Sequence, residues 1–349
     1  MRTIVWNEKK QCVEIIDQNA LPVDYITISL FSYNDVIRAI QHMTVRGAPA
    51  IGVTGAYGMA LAALRSSERQ LSDIKAELIE IAQKIGAARP TAVNLWNMLD
   101  RTLDLIKGFE GHVDDLKAEL LKFAHHLAEE DVALNMQLSR HGAELIEDGD
   151  HIVHHCNTGA LATVDYGTAL GVIRMAHEQG KKIHVYVDET RPRLQGSRLT
   201  AWELKQYGIP YDIITDSSSG HLMQMGLVNK VFFGADRVAM NGDVANKIGS
   251  YMLALAAVDN NVPVYSVFPM STVDAKIRNG KEIEIEQRDD REVLDIALNG
   301  DIVVPDAATA LNYAFDVTPN RLLTGLVTEH GVLYPPFYEK LDKIIREGI

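Results

Sequence analysis

Behind the charged turn Glu147-Asp148-Gly149-Asp150 the chain reads Ile152-Val153-His154-His155-Cys156-Asn157-Thr158-Gly159-Ala160, a short apolar strand that closes on a polar, glycine-bearing turn. Four more such runs follow: Ile183-His184-Val185-Tyr186-Val187, Asp212-Ile213-Ile214, Val231-Phe232-Phe233 and Val264-Tyr265-Ser266-Val267-Phe268. Helical stretches separate them. Strand and helix alternating at this spacing predict an α/β unit, a parallel sheet of five strands covered by helices on both faces. Upstream of the turn the pattern is different. Thr3-Ile4-Val5-Trp6 and Val13-Glu14-Ile15-Ile16 flank Glu8-Lys9-Lys10 as a β-hairpin. Ser32 with Asp35 marks a helix start, and Ile74, Leu78, Ile81 and Ile85 recur at helical spacing. From Val113 to Ile146 the periodicity stays helical and stops at Gly149. The expected division is therefore 1–149, mainly helical with a β-leader, and 150–349, the parallel-sheet part.

Composition narrows the function. A chain of 349 residues has room for two domains, and 47% hydrophobic with 23% charged residues is a globular balance rather than a disordered one. With 34 basic against 47 acidic side chains the formal charge is −13, which argues against nucleic-acid and anionic-membrane partners. Two cysteines, Cys12 and Cys156, cannot build a disulfide framework. No apolar run reaches membrane-spanning length, and Met1-Arg2-Thr3 leads straight into strand-like sequence, so the chain reads as cytoplasmic.

In an open parallel sheet, ligands sit outside the carboxyl ends of the strands where the strand order reverses. An order of 3-2-1-4-5 places the first and fourth strands together at that point. Cys156 closes the first and Asp236, in Gly234-Ala235-Asp236-Arg237, follows the fourth. A thiol and a carboxylate 80 positions apart then face one crevice. Each has a plainer reading, Cys156 as a small buried hydrophobe and Asp236 as a helix cap. Adjacent His154 and His155 point to opposite faces of a strand, and no CxxC spacing supports a metal site.

Cations and glycine turns supply the rest. Arg46-Gly47-Ala48-Pro49 stands at the front of an apolar helix whose first N–H groups attract an anion, or whose Gly52, Gly55 and Gly58 serve close packing. Arg89 precedes Pro90, read as a helix start, and is either a solvated cation or a second anion contact. The loop Asp188-Glu189-Thr190-Arg191-Pro192-Arg193-Leu194-Gln195-Gly196 follows the second strand, where ligand loops belong. Asn246-Lys247-Ile248-Gly249 reads as a helix opening after Asn241-Gly242, its lysine either a phosphate contact or a surface charge. No P-loop and no dinucleotide fingerprint is present.

At these residues the sequence closely resembles the methylthioribose-1-phosphate isomerases. The blocks are Val45–Gly52, Arg89–Leu95, His155–Thr163, Asp188–Pro192 with Leu194–Gly196, Gly234–Val238 and Ala245–Gly249, in family order from about residue 3 to residue 340. The broader superfamily holds regulatory subunits of a translation-initiation exchange factor and ribose-1,5-bisphosphate isomerases. The former are not expected to carry the Cys/Asp pair. The resemblance implies a helical N-terminal domain with a β-leader, a Rossmann-like C-terminal domain, a homodimer and no cofactor. It matches Cys156 and Asp236 to the catalytic pair, and Arg46, Gly47, Ala48, Arg89, Gln195, Asn246 and Lys247 to substrate-binding positions. Two blocks depart from the family pattern: Tyr313 stands where proline is usual, and Asp216-Ser217-Ser218-Ser219-Gly220-His221 is smaller and more polar. Both are expected to bear on the C5 end of the sugar.

The implied reaction is aldose–ketose isomerisation of 5-methylthioribose 1-phosphate in methionine salvage. The alternatives are 5-deoxyribose 1-phosphate as substrate, or a non-catalytic subunit that binds sugar phosphate or nucleotide. Hydrogen must move from C2 to C1 with the phosphate kept, by a Cys156 thiolate through an enolate or by a hydride shift. Helix-start N–H groups and cations are expected to favour the thiolate.

Overall fold

The computed structural model describes residues 1–347. A three-stranded antiparallel sheet, Ile4–Asn7, Cys12–Ile16 and Thr27–Leu30, opens the chain. The expected hairpin is its first two strands, with Ile4 opposite Ile15. The third strand pairs Leu30 with Val13 and escaped the sequence because only Leu30 of its four residues is buried. The helix Tyr33–Gln41 begins at Ser32 with the expected reciprocal capping by Asp35.

The next helix, Ala48–Arg65, is apolar on all sides and buried from Ala50 through Ala63, as a helix at the centre of a bundle must be. Leu71–Gly86, Val93–Gly108 and Val113–Ala143 pack around it. Gly52 and Gly55 are small because the helix at Val93–Gly108 lies against them: a Cβ would meet the Asn94 carbonyl at 2.9 Å and Leu95 Cδ1 at 2.6 Å. Close packing thus accounts for both glycines. Ile74, Leu78, Ile81 and Ile85 are all buried. The long helix ends at Ala143, three residues before the apolar rhythm does, and Ile146 joins the sheet's core instead.

The main sheet has seven strands rather than five, ordered Tyr211–Ile214, His184–Asp188, His151–His154, Lys230–Phe233, Val264–Val267, Gly325–Thr328, Gly331–Leu333. Six are parallel and the last is an antiparallel edge. The order reverses between His151–His154 and Lys230–Phe233, so the first and fourth strands are neighbours as expected. A second, four-stranded sheet was not foreseen: Val273–Asp274, Arg237–Ala239, Val244–Lys247, Phe315–Thr318. It corrects the local reading of Asn246-Lys247. These two residues end a strand paired with Phe315–Thr318, the Asn241-Gly242 turn joins two strands, and the helix begins only at Ser250 after Gly249 at φ 105°. Likewise the helix after Pro90 starts at Val93, which leaves Arg89 in the turn before it.

The helical layer and the sheet layer meet at the segment 157–165. Thr3 N–H donates to the Val164 carbonyl at 2.8 Å, and its hydroxyl donates to the Ala160 carbonyl at 2.6 Å. Gln18 donates to Leu161 and Val164 N–H to Asp131. Among the described residues no helix is long and apolar enough to cross a membrane.

Candidate active site

A pocket opens at the reversal point of the sheet, against the N-terminus of Ala48–Arg65. All nine residues singled out from the sequence line it: Cys156, Asp236, Arg46, Gly47, Ala48, Arg89, Gln195, Asn246 and Lys247. Arg288, Thr158, Thr168 and Phe315 line it as well and were not foreseen.

Cys156 stands two residues past its strand in the left-handed region, φ 68°. Two hydrogen bonds over-determine that backbone: its N–H donates to the Thr190 hydroxyl at 2.9 Å, and its carbonyl accepts from the Thr200 hydroxyl at 2.7 Å. The thiol is pushed up by burial, which outweighs Arg46 and Lys247. The expected thiolate is therefore corrected. The turn runs on through Asn157 and Thr158 to a short 3₁₀ turn at Ala160, so the segment that follows Cys156 opens no α-helix.

Asp236 sits between the two sheets, its N–H bound to the Ala245 carbonyl. Among the described residues its carboxylate accepts no hydrogen bond. Enclosure raises its pKa against the pull of Lys247, Arg89, Arg46 and Arg288. A carboxyl so placed can hold a proton and has both oxygens free to pass it on.

The cations come from three directions. Arg46 donates to Asn157 through its side-chain oxygen at 2.9 Å and its carbonyl at 2.8 Å. Asn157 is held in turn by Glu203, which accepts from its amide at 2.8 Å and from Ala160 N–H at 2.7 Å. Lys247 is 5% exposed, donates to the Ala314 carbonyl at 2.7 Å, and lies 4.4 Å from the centre of the Phe315 ring. Burial and the neighbouring Arg288 push it down to about 8. Arg89 and Arg288 share Glu286, at 3.1 and 2.9 Å. Four cations against one carboxylate in the wall make an anion site. Gln195, nearly buried, leaves its side-chain oxygen without a protein partner, as a group reserved for a ligand hydroxyl would. Next to it Gly196 begins one π-helical turn and passes so close to the Asp188 carbonyl that a Cβ would lie at 1.7 Å.

An apolar recess continues the pocket past Ala48, Arg89 and Asp236, lined by Ile51, Ala92, Val93, Ile283, Ile285 and Phe315. The two stretches expected to shape the sugar's far end lie elsewhere: Asp216 and Tyr313 border a separate surface recess with Ile248 and Leu311. His155, Asp188 and Asp216 bring three ligand-type atoms within 4.8 Å of one another. Those atoms are engaged in hydrogen bonds: Asp216 accepts from Thr190 and Arg191 N–H, Asp188 from Ser219, and His155 lies between Asp188 and the Ile248 carbonyl.

Residues 44–335 match the Initiation factor 2 subunit family. The chain is 50% identical over 347 residues to "Methylthioribose-1-phosphate isomerase 2" of Pseudothermotoga lettingae, with 99% of each chain covered. To the "Methylthioribose-1-phosphate isomerase" of a Synechococcus strain it is 46% identical, covering 99% and 98%. The solved 5-methylthioribose 1-phosphate isomerase of Pyrococcus horikoshii superposes with a TM-score of 0.91 at 39% identity, over 99% of this chain and 96% of that one. A protein of A. fulgidus described as the translation initiation factor eIF-2B, subunit delta, superposes with a TM-score of 0.87 at 42% identity, over 99% of both.

Proposed function

The chain belongs to the initiation factor 2 subunit family, and we propose that it works there as an aldose–ketose isomerase, converting 5-methylthioribose 1-phosphate to 5-methylthioribulose 1-phosphate. Full-length relatives at 46–50% identity bear the isomerase name. One observation carries the reading to these residues: Cys156 and Asp236 share a crevice whose other charged walls are all cationic. The phosphate goes to the cations, with Arg46, the Gly47-Ala48 turn and Lys247 as its principal contacts. Gln195 and Asn246 take sugar hydroxyls.

A phosphate on the anomeric oxygen blocks the free ring opening that other aldoses use. Asp236 in its protonated form supplies a proton to the ring oxygen as the C1 bond to it breaks. C1 is left electron-poor, the hydrogen on C2 moves to it with its electron pair, and the C2 oxygen returns its proton to Asp236. Protons balance and the phosphate never leaves. The raised thiol of Cys156 fits this hydride route better than removal of the C2 proton by a thiolate. The apolar recess beside Asp236 suits a methylthio group and favours it over a bare methyl. We also assign the chain to the cytoplasm, as a homodimer, with residues 1–149 and 150–349 as its two domains.

Turnover measured side by side on the methylthio, deoxy and 5-phospho forms of ribose 1-phosphate tests the reading. The methylthio sugar should be fastest and the deoxy sugar slower by about fifteen-fold, since the sulfur and methyl it lacks are worth about two buried methylenes at about 0.8 kcal/mol each. With deuterium on C2, the hydride route keeps the label at C1 and the thiolate route exchanges it with water. Failure to form a ketose from any of the three sinks the isomerase and leaves a silent binding subunit, the reading closer to the A. fulgidus protein's description.

A further inference from the structure

Histidines 154 and 155 are consecutive and almost completely buried, yet their partners assign them opposite charge states. His154 Nδ1 donates to the Phe232 carbonyl at 3.0 Å. Its Nε2 lies 3.3 Å from the Thr158 hydroxyl, whose oxygen already accepts from Leu170 N–H and so gives its proton to the ring. One donor and one acceptor make a neutral imidazole. His155 is flanked by two acceptors instead. Nδ1 lies 2.8 Å from Asp188 Oδ2, and Nε2 lies 2.9 Å from the Ile248 carbonyl. With Asp188 ionised both contacts require an N–H, which makes the ring an imidazolium.

The second contact joins two arms of the pocket. Cys156 follows His155 directly, and Ile248 follows Asn246 and Lys247. Among the described residues, the other side-chain and loop hydrogen bonds from the arm 246–251 to the rest of the chain lie on its far side. Asp316 accepts from Gly249 and Tyr251 N–H, and the Ala314 carbonyl accepts from Ile248 N–H and the Lys247 ammonium. Gly249 passes so near the ring that a Cβ would stand 2.8 Å from His155 Cε1. We propose that His155 is a positioning residue: as an imidazolium it clamps the Cys156 turn to the Asn246–Ile248 arm and fixes the spacing between the thiol and the anion-binding ammonium.

The surroundings agree. Asp188 ends the neighbouring strand, Asp216 follows the strand beyond it, and Asp316 approaches from the small sheet; His154, the last residue of the strand before His155, is the neutral neighbour. Burial pushes His155 down, but the hydrogen bond and charge of Asp188, with the charge of Asp216, carry it above its ordinary value. Burial pulls His154 down to about 3. Loss of the His155 proton at alkaline pH turns a bare nitrogen toward an oxygen and loosens the arm. Lys247 loses its charge in the same direction, so a pH profile alone does not separate the two.

Two measurements do. Nitrogen-15 NMR of the full chain with labelled histidine, at pH 7, should show both ring nitrogens of His155 protonated and His154 neutral. A neutral His155 overturns the proposal, and this needs no variant. In isothermal titration with inorganic phosphate, His155→Gln should bind about tenfold more weakly, the value of one charge-assisted hydrogen bond. His155→Ala should be weaker still, because glutamine restores one of the two donors. In kinetics the loss should fall on KM more than on kcat, which a generally loosened fold would not produce. A folded His155→Gln with wild-type phosphate affinity also overturns the proposal. The inference rests on the isomerase reading only for its kinetics. Phosphate binding and NMR behaving as expected, with no ketose formed, would fault that reading and not this one.

Discussion

Two aspartates stand at the ends of the strands that flank His151–His154 on either side, and the fold treats them in opposite ways. Asp188 ends its strand with both oxygens engaged, one by His155 and one by Ser219. Asp236 stands in the pocket wall with its oxygens free of protein donors and four cations nearby. Both are raised by burial. The difference is in what remains available: a carboxylate whose lone pairs are engaged holds the structure together, and one whose lone pairs are open can exchange a proton with a ligand.

The comparison can be broken most sharply at Asp236. Asp236→Asn should cut kcat by about 100- to 10,000-fold, the range for lost general acid–base catalysis, with little change in melting temperature. Asp188→Asn should do the reverse in emphasis. It leaves the His155 charge unpaired in the interior, which costs about 3–5 kcal/mol of stability, read by urea titration. If the two variants gave the same pattern, the distinction between spent and open carboxylates would fail.

Smaller effects sharpen the picture. Glu203→Gln keeps one acceptor for Asn157 but sets an amide N–H against Ala160 N–H, so the turn that holds Arg46 should loosen and KM should rise several-fold with kcat nearly kept. The mildest test uses pH. Lys247, pushed down to about 8, is charged below that value and neutral above it, so phosphate affinity should fall a few-fold as pH rises from 7 to 9. Lys247→Arg should remove most of that alkaline limb, because arginine stays charged. The stability sign for Asp236 is also fixed. Between its ordinary and raised pKa the native state holds a proton the unfolded chain has lost, so stability falls as pH rises through that window. Asp236→Asn should flatten it.

The helices and main strands were legible because their signals are local. A 3.6-residue rhythm in Ile74, Leu78, Ile81 and Ile85, or a capping box at Ser32, needs no distant partner. The small sheet was not legible for the opposite reason. Val244–Lys247 pairs with Phe315–Thr318, about seventy residues on, as well as with Arg237–Ala239 across the Asn241-Gly242 turn, and strands of two to four residues leave no period to read. The error over Asn246-Lys247 followed: Gly249 announces a helix, and the Asn241-Gly242 turn reads as the lead into that helix instead of as a hairpin joining two short strands. Arg288 was hidden similarly. It lies in a stretch with Glu282, Glu284, Glu286, Asp289 and Asp290 that reads as solvated surface, and only the shared Glu286 brings it beside Arg89. The sulfur's acidity was misjudged because neighbouring cations can be guessed from sequence, whereas the burial that outweighs them cannot.

Gly47 governs how the site could be rebuilt. At φ 99° it stands so close to the next layer that a Cβ would lie 2.4 Å from the Ala162 carbonyl oxygen and 2.5 Å from Ala162 Cα. Main chain meets main chain there, and no choice of side chain can widen or narrow the gap. A library aimed at new sugar tails would be wasted on that end. The adjustable end is the side of the recess away from Gly47 and Asp236, where Ile51, Val93, Ile283 and Ile285 present replaceable side chains. The molecule is thus a gauge fixed at the phosphate and adjustable at the tail, which tells an engineer where to mutate.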